Sequence, residues 1–185
     1  MATDLKMLPF VREGGTAMVF IDGENLTIRM EKLLDANPSL RRKAEVYQRG
    51  IYVWSKELAH LSGHLTIIRR HYYTSLTGSD EALEAAVDAL KGIEIEVPRV
   101  FKKLNGKTKM VDISLATDML LHACHRHYDV AILVAGDKDY VPLVRAVQRE
   151  GALVHLWFYK DAGLSPDLRR AADRFNDLTP FMVAS

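Results

Sequence analysis

Short apolar runs alternate with amphipathic stretches along most of this chain. The apolar or alternating runs predict five β-strands, at residues 17–21, 65–73, 93–100, 130–134 and 153–159. Stretches with helical spacing predict six helices, at residues 25–34, 41–61, 80–90, 112–124, 141–149 and 166–175. Strands that alternate with helices indicate a mostly parallel sheet with right-handed crossovers. The pattern therefore predicts an α/β protein, a three-layer α/β/α sandwich around a mostly parallel central sheet.

Two of these helices depend on the spacing of a few apolar residues. The 41–61 helix is inferred from four apolar residues near helical spacing, Ile51, Trp54, Leu58 and Leu61. Gly63 is interpreted as the residue that stops this helix. The helix that begins near Asp112 has an apolar stripe that we expect to face the core. The members of that stripe are Ile113, Ala116, Leu120, Leu121 and Cys124.

Size and composition fit one domain with a substantial core. The chain has 185 residues, of which 48% are hydrophobic. We expect an N-terminal lead-in over residues 1–16 and a single domain over residues 17–185. The net charge of +1 gives no indication of a partner for the whole molecule, so any indication must come from local clusters of charge.

The single cysteine and the lack of long apolar runs limit the classes of protein. Cys124 alone excludes an intramolecular disulfide framework and a cysteine-based zinc site, and its place on the apolar stripe predicts a buried thiol. No apolar run approaches the ~18 residues that span a bilayer, and the N-terminus lacks a signal-peptide pattern. We therefore expect a cytoplasmic protein without a membrane partner.

Aspartates stand where the predicted strands end. Asp22 follows the strand 17–21, and Asp137 and Asp139 follow the strand 130–134, while Asp112 opens a helix. In an open α/β sheet, ligands bind at the carboxyl ends of the strands. Carboxylates gathered there repel one another, and a hard divalent cation removes that repulsion. The pattern predicts a site for Mg²⁺ or Mn²⁺ and chemistry on phosphate, although aspartates in such turns also serve as helix caps.

Two further polar residues are candidates for supporting roles. Asn25 can cap the helix after Asp22, or hold that carboxylate and a metal-bound water. Asp118 lies 120° around the helix from Asp112 and about 9 Å further along its axis, so both cannot reach one point. We favour Asp112 because it is nearer the sheet edge, and Asp118 is left as a supporting or merely solvated residue. Glu24 is a weaker candidate.

Basic residues precede Asp112 without an intervening acid. The segment 99–109 carries five of them, of which we select Lys102, Lys103, Lys107 and Lys109 as contacts for an RNA backbone. Arg69 and Arg70 are selected on the interpretation that they end a strand together with Tyr72 and Tyr73, which would add base stacking. The alternative is that these charges are simply solvated.

Three segments in order carry a resemblance to a known family. They are residues 20–26 (FIDGENL), 109–120 (KMVDISLATDML) and 133–143 (LVAGDKDYVPL), and with them the chain resembles the NYN domains, the LabA-like branch of the PIN-domain ribonuclease superfamily, over residues 17 to about 180. The resemblance implies a PIN-like fold, an acidic metal-binding pocket, and RNA cleavage as in several relatives. It assigns the acidic positions to Asp22, Asp112, Asp137 and Asp139, and the supporting polar position to Asn25. Relatives often have serine where this chain has Ala135.

The leading hypothesis is a Mg²⁺- or Mn²⁺-dependent endoribonuclease that acts on single-stranded or structured RNA. One alternative is an NYN module that binds RNA or a protein without cleaving. A less favoured alternative is a magnesium-dependent phosphatase, which also uses acids at strand ends. The sequence leaves open the RNA specificity, the number of metal ions, and whether the chain forms a homodimer.

Overall fold

A computed structural model of the protein describes residues 15–55, 64–103 and 110–184. Most of the predicted lead-in, the end of the predicted 41–61 helix, and the predicted RNA contacts Lys107 and Lys109 lie outside the described residues. None of the helices in these three ranges is long and apolar enough to cross a membrane.

Strands and helices alternate through most of the described chain. In chain order the elements are β1 (Thr16–Asp22), α1 (Gly23–Ala36), β2 (Arg41–Arg42), β3 (Val46–Gln48), β4 (Tyr52–Trp54), β5 (Thr66–Leu76), α2 (Asp80–Lys91), β6 (Val97–Lys102), α3 (Met110–Cys124), β7 (Val130–Val134), α4 (Val141–Arg149), β8 (Leu153–Phe158), α5 (Pro166–Ala171), β9 (Arg174–Asp177), α6 (Thr179–Met182) and β10 (Val183–Ala184). A short 3₁₀ turn at Lys138–Tyr140 leads into α4.

The central sheet has six parallel strands in the order β6-β5-β1-β7-β8-β9. From β1 the chain first extends the sheet to one side, through β5 and β6, and then to the other side, through β7, β8 and β9. The order therefore reverses between β1 and β7, which is where open α/β sheets bind their ligands. Ile21 pairs with Val134 in the register, so the residues after both strands leave the sheet side by side.

Helices cover both faces of this sheet. Alternate residues of β1 belong to two different cores, with Val19 and Ile21 on one face and Met18 and Phe20 on the other. Side chains of α1, α2 and β4 pack on the first face, and side chains of α3, α4 and α5 pack on the second. The predicted three-layer α/β/α sandwich is confirmed.

The predicted helix over residues 41–61 is wrong in its described part, which forms short strands. β3 and β4 make an antiparallel hairpin, and Gly50 in its turn has a positive φ of 66°. Val53 and Trp54 of β4 are buried, and the Tyr72 hydroxyl bonds to both the N–H and the carbonyl of Val53, at 3.0 Å each. Ile51 and Trp54 happen to be three residues apart, which imitates the spacing of a helix.

Two other boundaries differ from the prediction. Ile93 and Ile95 are buried, but they reach the core from the turn after α2, where Glu94 has a φ of 67°, and the strand begins only at Val97. The last predicted helix ends at Ala171, and Phe175 lies instead in β9, the sixth strand of the sheet.

The core-facing side of α3 was also predicted wrongly. Its buried residues are Val111, Leu115, Met119 and Ala123, whereas Ile113 and Leu121 are 58% and 51% exposed. Cys124 is exposed rather than buried. This helix carries apolar residues on nearly all sides, so periodicity alone does not distinguish its inner face.

Candidate functional site

Asp22 ends the central strand β1 and is buried, with 4% of its surface exposed. One carboxylate oxygen, Oδ1, accepts a hydrogen bond from the backbone N–H of Asn25 at 3.0 Å and caps α1. The other, Oδ2, accepts from the Tyr140 hydroxyl at 2.9 Å. The pKa of Asp22 is raised to about 7, mainly by burial; the two hydrogen bonds lower it, and the charges of Asp112 and Asp137 raise it. The carboxyl of Asp22 therefore holds its proton more tightly than an exposed aspartate does.

Gly23 allows the chain to turn directly after Asp22. A Cβ atom at this position would lie 2.0 Å from the Tyr72 ring of the neighbouring strand β5. The glycine therefore lets α1 begin against the sheet, and this close approach fixes the direction in which Asp22 leaves β1.

Tyr140 connects two of the predicted acidic residues. Its hydroxyl lies 2.9 Å from Asp22 Oδ2 and 3.1 Å from Asp112 Oδ1, so the two carboxylates are no more than two hydrogen-bond lengths apart. The ring is buried, and burial beside two acids raises the pKa of Tyr140 strongly, which keeps the phenol protonated. Partial burial also raises the pKa of Asp112, and the charges of the surrounding acids add to the effect. Sequence reasoning missed Tyr140, although it stands directly after Asp139 in the same turn.

Asn25 links the ends of β1 and β7. Its side-chain N–H donates to Asp137 Oδ2 at 2.8 Å, and its side-chain oxygen accepts from the backbone N–H of Gly136 at 3.0 Å. Since its backbone N–H also bonds to Asp22, one residue orients both aspartates. The supporting role that the sequence predicted for Asn25 at a metal site stays a prediction.

Arg29, one helical turn after Asn25, also reaches the end of β7. Its guanidinium lies 3.6 Å from Asp137 Oδ1. The backbone of Gly163 packs against this guanidinium, so a side chain at position 163 would displace it. The sequence did not place Arg29 beside an aspartate, because nothing in it shows that α1 crosses the end of β7.

The remaining two predicted acids differ in their positions. Asp139 is exposed, and its charge contributes to the raised pKa of Asp112. Asp118 accepts a hydrogen bond from the Tyr73 hydroxyl at 2.8 Å and lies 3.8 Å from the Arg99 guanidinium. The structure therefore places Asp112 next to Asp22 through Tyr140, and gives Asp118 other partners.

Glu24 and Lys103 form a second charged pair at this edge. Glu24 accepts from the Ser75 hydroxyl and from the Lys103 ammonium, both at 2.6 Å, and its charge also reaches Asp112. The side chains of Glu24 and Lys103 are only 26% and 19% exposed. A positive charge from the end of β6 is thus held close to the aspartates.

The other predicted basic contacts lie in different environments. Lys102 forms an ion pair with Asp80 at 2.8 Å, and Arg70 forms one with Glu96 at the same distance. Arg69 and Arg70 lie near the beginning of β5, not at its end, because the strand continues to Leu76. Tyr72 and Tyr73 are fully buried, so the expectation that they stack on bases is wrong.

The oxygen atoms near the ends of β1 and β7, where the strand order reverses, are of the kind that Mg²⁺ and Mn²⁺ prefer as ligands. Asp22, Asp112, Asp137 and Asp139 offer carboxylate oxygens. Burial is the main reason why the pKa of Asp22 is raised, and the charges of Asp112 and Asp137, which a cation would offset, make a smaller contribution. Within the described ranges, no three His, Cys, Asp or Glu side chains are placed so that they could hold one ion as they stand. The chemistry of the donor set fits a divalent cation, and rotation of these side chains would be needed to close around it.

Comparisons with known proteins agree with the fold. The family described as the NYN domain matches residues 16–179. A crystal structure of a protein of unknown function, VPA0982, from Vibrio parahaemolyticus RIMD 2210633 superposes with a TM-score of 0.68, over 94% of this chain and 99% of that chain, at 17% sequence identity. This similarity supports the fold alone. A comparison with curated proteins gives no match.

Proposed function

The chain belongs to the NYN domain family, within the PIN-like superfamily, and on that premise we propose that it is a metal-dependent ribonuclease that hydrolyses phosphodiester bonds in RNA. The observation that carries the proposal is that three aspartates lie near one another between β1 and β7, where the strand order of the sheet reverses. They come from the end of β1, the start of α3 and the end of β7, and Tyr140 and Asn25 connect them.

The aspartates would hold Mg²⁺ or Mn²⁺. We assign Asp22, Asp112 and Asp137 to the ion, and Asp139 to completing the set or positioning the attacking water. A bound divalent ion would activate that water and stabilise the charge that develops at phosphorus. Tyr140 and Asn25 hold the carboxylates near one another through hydrogen bonds, and the side chains would rotate to close around an ion.

Basic residues at the same edge would guide the RNA backbone. Lys102 ends β6 and Lys103 follows it, and the carboxyl end of β6 lies on the same edge of the sheet as that of β1. The ammonium of Lys103 already lies against Glu24 beside the acids, and we propose that it contacts a phosphate next to the scissile one. Arg69 lies towards the amino end of β5, away from the aspartates, and we propose it only as a contact for RNA at a distance from the cleavage site.

Cleavage of mixed RNA tests the proposal. Wild type, Asp22→Asn and Asp167→Asn are incubated with end-labelled RNA in Mg²⁺, in Mn²⁺ and in excess chelator. Asp167 is a suitable control because it is an exposed carboxylate on α5 that pairs with Arg170. We expect divalent-dependent cleavage by wild type and by Asp167→Asn, and at least a hundredfold slower cleavage by Asp22→Asn. Equal cleavage by all three proteins would exclude this site as its source.

A second candidate function is an NYN module that binds RNA without cleaving it. Two observations favour it: Asp137 is already engaged by Arg29 and Asn25, and the described acids do not converge on one point. Tight RNA binding by wild type, with no cleavage in either metal, would select this candidate over the nuclease.

A further inference from the structure

A group of aromatic and imidazole rings joins the central sheet to the end of α3. His71 of β5 stacks on Phe20 of β1, with ring centres 5.0 Å apart. His122, in the last turn of α3, meets the His71 ring edge-on at 5.3 Å. The Nδ1 atom of His122 lies 2.9 Å from Nδ1 of His127, in the turn between α3 and β7. The rings therefore attach the C-terminal end of α3, and the turn after it, to β1 and β5.

The contacts of His71 are those of a neutral imidazole with its proton on Nδ1. The Tyr73 hydroxyl donates its one hydrogen to Asp118 at 2.8 Å, so at its 3.3 Å contact with His71 Nδ1 it can only accept. The other ring nitrogen, Nε2, then carries a lone pair. Nε2 is buried and has no hydrogen-bond partner among the described residues. A second proton on this ring would therefore create a buried N–H without an acceptor, which is unfavourable.

The groups around His71 also oppose a positive charge on its ring. Burial is the main reason why the pKa of His71 is lowered to about 4, and the positive charges of His122, Arg69 and Arg99 lower it further. Asp118 raises it, but the carboxylate of Asp118 also faces the Arg99 guanidinium at 3.8 Å. Partial burial lowers the pKa of His122 as well. Both rings are therefore neutral at pH 7.

We propose that His71 and His122 form an acid-sensitive latch, which holds the C-terminal end of α3 on the sheet while both imidazoles are neutral. Acid that protonates the two rings places two positive charges side by side, next to Arg69 and Arg99. The end of α3 then separates from β5, because separation lets water reach the charged rings. The latch does not depend on the proposed nuclease function, since neither histidine belongs to the proposed metal site.

The pH range of the latch follows from the pKa of His71 in its two states. An exposed histidine has a pKa near 6.5, so below that pH the open form binds a proton that the closed form binds only near pH 4. The latch therefore contributes its full stability above about pH 6.5 and loses it as the pH falls towards 4. From His71 alone, the ratio of open to closed forms should rise about twentyfold between pH 7 and pH 5.

Hydrogen exchange of the backbone amides of residues 119–127 tests the latch. Exchange is measured for wild type and His71→Phe at pH 7 and at pH 5, and the two proteins are compared at the same pH so that the intrinsic pH dependence of exchange cancels. Phenylalanine keeps a ring against Phe20 and cannot be protonated. Between pH 7 and pH 5, we expect the opening of this segment to increase about twentyfold more in wild type than in His71→Phe.

A second variant, His71→Asn, guards against a disturbance of packing by the phenylalanine ring. The asparagine N–H₂ can still donate to the Tyr73 oxygen, and the side chain does not titrate. Each variant is judged by how its exchange changes with pH, not by its absolute stability, so a loss of packing alone does not imitate the result. We expect both variants to lack the acid-dependent opening.

His155 of β8 provides the matched control. It is also buried, and burial is the main reason why its pKa is lowered to about 4. It alternates along the strand with Val154 and Leu156, which belong to the core under α3 and α4, so His155 lies on the other face of the sheet. His155→Phe should reduce the acid destabilisation of the whole protein in urea, and should leave the opening of residues 119–127 as dependent on pH as in wild type.

The outcomes distinguish a local latch from a general effect of acid. Opening of residues 119–127 at pH 5 in wild type and in His155→Phe, but not in the two His71 variants, supports the latch. Equal pH dependence of exchange in wild type and in both His71 variants overturns it. Exchange that rises in α1 as much as in residues 119–127 also overturns it, because acid would then act on the whole fold and not on one end of α3.

Discussion

Replacing Asp22 by asparagine should stabilise the fold while it removes the proposed activity. The carboxyl is buried at the end of β1, and burial is the main reason why its pKa rises from 3.8 to about 7. Asparagine has nearly the same shape and carries no charge. Its oxygen can still accept from the Asn25 N–H, and its amide N–H₂ can donate to the Tyr140 oxygen, which then donates to Asp112.

The magnitude and the pH range follow from the shift in pKa. A group whose pKa is raised in the folded state binds its proton more tightly there, so it destabilises the fold once the unfolded chain ionises. The wild type should therefore lose stability relative to Asp22→Asn as the pH rises from about 4 to about 7, with no further change above that. A shift of about three pKa units corresponds to roughly 4 kcal/mol, which is the largest gain expected for the variant at pH 8.

Urea unfolding measures this difference directly. The free energy of unfolding is determined for wild type and Asp22→Asn at several pH values from 4 to 8, in excess chelator. Taking the difference between the two proteins cancels the contributions of acids that do not interact with Asp22, whereas Asp112 and Asp137 interact with it and contribute to the difference. Asp167→Asn controls for the loss of an exposed carboxylate and should change stability by no more than about 0.5 kcal/mol. A variant that is less stable than wild type at pH 8, or a difference that does not change with pH, would refute the reasoning.

Three other perturbations give distinct results. Mn²⁺ at one hundred times its dissociation constant should raise the free energy of unfolding of wild type by about 2.7 kcal/mol and leave that of Asp22→Asn unchanged, as measured by the same urea transitions. Equal stabilisation of both proteins would place the ion elsewhere. Tyr140→Phe should lower the free energy of unfolding by about 1–3 kcal/mol, because Asp22 and Asp112 lose their shared donor; a neutral effect in chemical unfolding would show that the hydroxyl does not hold them together. Gly23→Ala should lower the melting temperature by many degrees, because the added Cβ would overlap the Tyr72 ring. Gly92→Ala is the control and should melt close to wild type, because no atom would lie nearer than 3.4 Å to its Cβ. Similar melting temperatures of the two variants would contradict the close packing of α1 on β5.

The sheet and its acidic edge were predictable because both depend on local signals. The runs 17–21 and 130–134 are continuously apolar, and an aspartate follows each of them closely, so their neighbouring positions in a parallel sheet bring the acids together. Once the strands were identified, Asp22 and Asp137 could be placed after their carboxyl ends, and the role of the two residues in a metal site stays a prediction.

The errors arose where a short pattern fits two structures. The spacing of Ile51 and Trp54 suits a helix, but the positive φ at Gly50 and the burial of Trp54 against Tyr72 favour a hairpin. Cys124 and Leu121 are apolar yet exposed, because other residues of α3 already cover the sheet. Such choices depend on tertiary packing and cannot be decided by periodicity alone.

The contacts that organise the site depend on the packing of distant segments. Tyr140 and Asp112 are separated by 28 positions and meet only because α3 and the turn before α4 lie side by side. Arg29 reaches Asp137 only because α1 crosses the end of β7. Nothing in the sequence shows that Tyr140 contacts Asp112 or that Arg29 contacts Asp137.

Anomalous X-ray scattering from crystals soaked in Mn²⁺ tests the central claim most directly, since it locates the ion without relying on activity. We expect a peak bounded by the carboxylates of Asp22, Asp112 and Asp137, and its loss in crystals of Asp22→Asn. A peak at another place on the molecule, or carboxylates of Asp22 and Asp137 that face different sides of the sheet, would contradict a shared metal site.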